Sequence, residues 1–212
     1  MAKMFYIIKL MAIEKLKLML KEILPIFEGT YFVADGALLG IVREGDLLEH
    51  DDDIDIYILP TTIINWHKLP EKYKYFKDYM CFKIYDESNE KPKPKSDWLR
   101  FIQFTRTLPK YSGYNRAKLC KEIAPTYRDK IIPNITTLYN IDIFVLEDDS
   151  INDSYRIPYL WNKQEFYFTK EECKTEIDST LGFNIRIPRK PLEVLERIYG
   201  KEFMIEQKDY QH

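Results

Sequence analysis

The chain has 212 residues, 45% hydrophobic and 15% aromatic, which is ample apolar material for a core and excludes a disordered chain. Its 32 Lys and Arg against 34 Asp and Glu leave a formal charge of −2, which argues against a general nucleic-acid or anionic-membrane binder. Three dispersed cysteines (Cys81, Cys120, Cys173) read as reduced thiols, and three histidines (His50, His67, His212) without paired spacing argue against a zinc enzyme.

Taken in chain order, residues 1–13 are apolar but interrupted by Lys3 and Lys9. The run is too short to span a bilayer and no small-residue cleavage site follows it, so the expectation is a cytoplasmic protein without a membrane segment. Residues 13–27 carry Ile13, Leu16, Leu20, Ile23 and Leu24 at helical spacing, stopped by Pro25 and Gly29. Residues 31–34 are a short strand ending at the Asp35-Gly36 turn, and 37–42 a short helix closed by Gly45. Residues 51–59 alternate as a strand up to Pro60. Further strands are expected at 79–85, 98–106, 141–146 and 183–187. Between 85 and 98, Lys91-Pro92-Lys93-Pro94-Lys95 is an extended, solvated loop. Pro191 opens a last helix through Tyr199, with Gly200 where a C-terminal cap belongs. Neither a repeat nor a composition break divides the chain. The expectation is one domain over 1–212, with a core at about 13–149 and an extension at 150–212.

The chemistry gathers in Asp51-Asp52-Asp53-Ile54-Asp55-Ile56-Tyr57-Ile58. On a strand, alternate residues share a face, so Asp51, Asp53 and Asp55 point one way and Ile54, Ile56 and Ile58 the other. Two carboxylates about 4 Å apart repel by about 1 kcal/mol in water and about 4 kcal/mol at an effective dielectric of 20. Folding does not require that strain. A divalent cation removes it, and an all-oxygen donor set suits Mg²⁺ or Mn²⁺. A calcium loop of the EF-hand kind also starts with alternating acids, but its sixth and twelfth positions would be Ile56 and Thr62 instead of Gly and Glu. Downstream, Asp142 stands inside the apolar run Ile141-Asp142-Ile143-Phe144. Buried alone it is costly, so completing a metal cage with Asp53 and Asp55 from a neighbouring strand is the expected role. Upstream, the turn into a helix at Gly36 and Ala37 exposes backbone N–H groups suited to phosphate, with Gly40 following and Arg43 a candidate phosphate partner.

The stretch Asp35-Gly36-Ala37-Leu38-Leu39-Gly40-Ile41-Val42-Arg43, with Asp51-Asp52-Asp53-Ile54-Asp55-Ile56 behind it, resembles the core signature of the LicD/fukutin family. Asp142-Ile143-Phe144 is similar to the family's later Asp-x-Phe strand, and Pro188 through Tyr199-Gly200 to its C-terminal segment. Three positions depart from the family pattern: His50 where Trp is usual, Glu44 where His is common, and Ala37 where nucleotidyltransferases favour Ser or Thr.

The resemblance implies an α+β nucleotidyltransferase-type fold, with a mixed β-sheet flanked by helices. It also implies transfer of a phosphorylated alcohol, phosphocholine or ribitol phosphate, from a CDP-activated donor to a glycan acceptor. It maps the metal carboxylates onto Asp53, Asp55 and Asp142. Two divalent ions on these carboxylates would bridge the donor diphosphate, with Asp142 or Asp51 as general base for the acceptor hydroxyl. Two other readings use the same residues. One is a nucleotidyltransferase acting on a small molecule or RNA end, told apart by which half of the donor stays on the product. The other is a catalytically silent nucleotide- or metal-binding protein, which loss of a carboxylate would favour.

Overall fold

A computed structural model describes residues 2–49, 51, 53–77, 81–86, 139–157 and 167–205. Helix α1 runs over Ala2–Ile23, eleven residues earlier than the apolar spacing alone suggests. No Gly or Pro interrupts that stretch, so nothing stops the helix from extending. Ile13, Leu16, Met19, Leu20 and Ile23 form its buried stripe. Pro25 ends it at Ile23, because proline restricts the residue before it and cannot donate; Leu24–Ile26 continue as a single 3-10 turn. Among the described residues no helix is long and apolar enough to cross a membrane.

The central sheet has five strands. In chain order they are β2 (Tyr31–Ala34), β3 (Asp53–Ile58), β5 (Tyr73–Lys77), β6 (Phe82–Asp86) and β7 (Asn140–Val145). Two-residue strands β1 (Phe27–Glu28) and β4 (Ile63–Ile64) pair separately. The spatial order is β2-β3-β7-β6-β5, with β3 and β7 parallel and every other pair antiparallel. The architecture is therefore α+β with a mixed sheet. Strand β5, which the sequence reading passed over, sits at the edge, and its Lys74 and Lys77 suit that place. The expected strand at 98–106 and the Lys-Pro loop lie outside the described residues, as do His50 and Cys120.

Alternation gives this sheet two unlike faces. Val33, Ile54, Ile56, Ile84, Ile141 and Ile143 are buried on one. Helix α1 lies across it: Lys15 pairs with Asp86 at 3.8 Å, and Tyr73 donates to Glu22. The other face carries the aspartates, but it is not an open cleft throughout. Phe32, Tyr57 and Phe144 form a cross-strand row there, and Phe168 covers it with ring centroids 4.9 Å from Phe32 and 5.2 Å from Tyr57. Tyr57 is consequently buried, although it shares the sheet face of the half-buried Asp53 and Asp55.

Helix α2 (Asp35–Glu44) leaves β2 without a loop and ends at Gly45 in the left-handed conformation, a favoured glycine cap. It packs on β2 and β3. Beyond the central sheet, β8 (Glu147–Asp149), β9 (Ser154–Arg156) and β10 (Tyr167–Thr169) make an antiparallel ribbon, so the acids that follow β7 form a strand themselves. Strands β11 (Glu176–Asp178) and β12 (Ile185–Ile187) pair next. Helix α3 (Pro191–Tyr199) opens and closes where proline and glycine predict, with the Gly200 N–H donating to the Glu196 carbonyl at 2.8 Å. It packs against α2.

Candidate metal centre

The site is built by strand register. Asp55 on β3 lies directly beside Asp142 on the parallel strand β7, and Asp53 lies one pleat along on the same face. One carboxylate oxygen from each of Asp53, Asp55 and Asp142 falls within 4.8 Å of the other two. Asp53 and Asp55 are half-buried, and Asp142 is 4% exposed. Asp142 is thus central and buried, and the ordinary explanation for a lone strand aspartate, an exposed sheet edge, does not apply.

Two further residues complete this row, and the sequence reading missed both. Lys83 on β6 stands in register with Asp142 and is 2% exposed; its Nζ donates to Asp142 Oδ2 in a buried ion pair. Asn140, also buried, donates from Nδ2 to Asp142 Oδ1. The available signal was a lysine alternating with apolar residues in Phe82-Lys83-Ile84, the pattern of a residue on one sheet face. An ionised carboxylate has about four acceptor positions, so Asp142 can take both donors and still offer an oxygen to a cation.

Asp51 behaves differently. It precedes β3, its N–H donating to the Leu48 carbonyl at 3.1 Å, so the alternating strand begins at Asp53 and not at Asp51. Its carboxylate lies against Gly36: a Cβ at that glycine would sit 2.5 Å from Asp51 Oδ2. Of the two candidate bases, Asp142 therefore belongs to the group of three and Asp51 stands outside it.

Asp35, which begins α2, is the other carboxylate of this region. Its φ of 49° is left-handed, a conformation aspartate tolerates better than most residues. Oδ2 accepts the Tyr57 hydroxyl at 2.6 Å, and Oδ1 is buried without a hydrogen-bond partner. Burial pushes the Asp35 carboxyl up to about 6, with the Asp53 charge adding to the rise and the Tyr57 hydrogen bond opposing it. Burial and the charges of Asp35 and Asp55 push the Tyr57 hydroxyl upward as well, which keeps it a donor.

These placements change the picture of the strand–helix turn. A helix N-terminus attracts negative charge, and here Asp35 in its first turn and Asp51 against Gly36 bring two protein carboxylates to it. Ala37 is buried in the core. Gly40 is required by packing, since a Cβ there would meet the Asp46 carbonyl at 2.6 Å and the Leu48 nitrogen at 2.8 Å. Arg43 lies about 10 Å along the helix axis from Gly36. It bonds Glu44 at 2.7 Å and the Phe203 carbonyl at 3.4 Å, so the structure turns it toward the C-terminal segment and not toward the three aspartates. Glu44, one of the departures from the family pattern, is its partner.

Residues 28–107 match the family model described as LicD/FKTN/FKRP, nucleotidyltransferase domain. That stretch is LicD-like. It holds β2, α2, β3, β5 and β6, hence Asp53, Asp55 and Lys83, while β7 with Asp142 follows it in the chain. The LicD family is one of transferases. None of the curated proteins matches the chain. The LicD resemblance implies a divalent cation, and the donor set fits one. Three hard oxygen ligands converge from two adjacent strands, with a buried polar side chain orienting the third.

Proposed function

We propose that this chain is a metal-dependent transferase with a nucleotidyltransferase-type fold. In this reading it moves a phosphorylated alcohol of the phosphocholine or ribitol phosphate type from a CDP-activated donor to a glycan hydroxyl. The observation that carries the reading is the convergence of Asp53, Asp55 and Asp142 across β3 and β7, with β3 inside the LicD-like stretch. These three residues would hold Mg²⁺ or Mn²⁺. When bound, the ion supplies Lewis-acid polarisation and offsets the charge of the donor diphosphate.

The protein's own part is positioning. Parallel register sets Asp55 beside Asp142 on rigid strands, which hold a constellation more closely than loops do. Asn140 and Lys83 fix the orientation of Asp142. The Tyr57–Asp35 hydrogen bond ties the start of α2 to the aspartate strand. With Asp35 and Asp51 at that helix start, anchoring of the donor phosphates falls to the cation side of the site instead of the Gly36 and Ala37 N–H groups.

Incubating the full chain with CDP-choline or CDP-ribitol, a glycan acceptor and Mn²⁺ tests the reading. The expected result is CMP release with the phosphorylated alcohol on the glycan, abolished by EDTA. Asp53→Asn or Asp55→Asn should lower the rate at least a hundredfold, on the order of one lost electrostatic contribution. A nucleotide on the acceptor would instead identify nucleotidyl transfer, and EDTA-insensitive turnover would contradict the metal chemistry.

A further inference from the structure

Three carboxylates and one buried ammonium, that of Lys83, gather on a single face of the sheet. Lys83, Asp142 and Asp55 form a continuous row across β6, β7 and β3, each in register with the next, and Asp53 follows one pleat on. A buried ammonium is costly unless it is paired, and nothing in the fold asks for one here: the alternate positions on the opposite face of β6 and β7 are filled by Ile84, Ile141 and Ile143. Lys83 is also unlike a simple one-to-one partner, because three carboxylates lie within its row and the adjoining pleat. Counted in their ionised forms, three carboxylates less one ammonium leave two negative charges, the amount one divalent cation neutralises.

We infer that Lys83 is a resident cation of this centre, standing in for a second metal ion, so that the protein without donor takes a single divalent cation. This inference rests on the metal reading of the three aspartates and departs from the two-ion expectation raised by the sequence. A second ion then comes only with the negative charges that a diphosphate donor brings.

The test is calorimetric titration of the donor-free full chain with Mn²⁺, with bound ions counted by electron paramagnetic resonance. Wild type should bind one ion per chain. Lys83→Met keeps an apolar stem of similar length but removes the ammonium. It should bind Mn²⁺ at least tenfold more tightly, because a repelling charge is gone, whereas Lys83→Arg should stay within about threefold of wild type. If Lys83→Met does not fold, Asp142→Asn is compared with the double variant Asp142→Asn/Lys83→Met. These two differ only in the ammonium, and the double variant should bind at least tenfold more tightly. Two ions bound to wild type without donor would overturn the inference and leave the metal reading standing. So would an affinity unchanged by removal of the ammonium in either comparison. No binding by wild type would overturn both.

Discussion

Glu172 and Asp142 are both buried carboxylates with a cationic partner, and the difference between them separates structure from chemistry. Glu172, 2% exposed, faces Arg197 of α3 through two parallel hydrogen bonds of 2.8 and 2.9 Å. The Thr169 N–H adds a third bond at 2.8 Å, and Arg197 also donates to the Tyr167 carbonyl at 2.8 Å and stacks over the Tyr167 ring. One anion meets one cation, and the pair bolts α3 to the 3-10 turn (Glu172–Lys174) that follows β10. Asp142 also has its cation, Lys83, but two more carboxylates converge on it from β3. The first pair is closed. The second is short of positive charge, and a site short of positive charge can take a cation from solution.

Mutation should expose this contrast, with the closed pair giving the largest effect on folding. Arg197→Ala leaves Glu172 buried and uncompensated, so denaturant unfolding should show a loss of about 3–5 kcal/mol, and the surviving folded protein should bind Mn²⁺ as wild type does. Ile56→Ala, on the opposite face of β3 from the aspartates and fully buried, should cost about 2–5 kcal/mol by leaving a cavity, again without loss of metal binding. An effect of either change on the metal would break the separation of the two regions.

Smaller effects are expected at the open site itself. Asp53→Asn should leave metal-free stability unchanged or raise it by up to about 1 kcal/mol, since it relieves repulsion among neighbouring carboxylates. A much earlier melt would make Asp53 structural. Asp35→Asn sharpens the same point through pH. Its folded value of about 6 stands above the ordinary 3.8, so the native state takes up its proton first as pH falls. The stability of metal-free wild type should therefore gain from this group as pH falls from about 7 to about 4, and Asp35→Asn should lack that component. The variant's advantage, up to about 3 kcal/mol above pH 7, should largely vanish near pH 4. Urea midpoints of the two proteins across that range measure it, and parallel curves would show that Asp35 titrates normally.

What the sequence disclosed follows from the range of the interactions involved. The period-two isoleucines of β3, the Pro191 and Gly200 boundaries of α3 and the strand character around Asp142 are local, and each was legible. Lys83 was not, because a lysine between Phe82 and Ile84 becomes significant only when β6 is placed beside β7. The neighbour of Gly36 was not legible for a similar reason. Glycine at that helix start leaves room for the carboxylate of Asp51, fifteen residues on, which a Cβ would displace. The short strands β8 to β11 carry little pattern of their own and are defined by their partners.

The central claim is that Asp53, Asp55 and Asp142 form a cation site in the folded protein, and thermal melting of the donor-free full chain with and without Mn²⁺ tests it most directly. Mn²⁺ at a hundredfold over its dissociation constant stabilises the native state by about 2.7 kcal/mol. For a chain of this size that raises the melting temperature by about 5–10 °C. Wild type should show this shift, and Asp55→Asn should lose most of it while folding normally. No shift in wild type, or an equal shift in Asp55→Asn, would contradict the account.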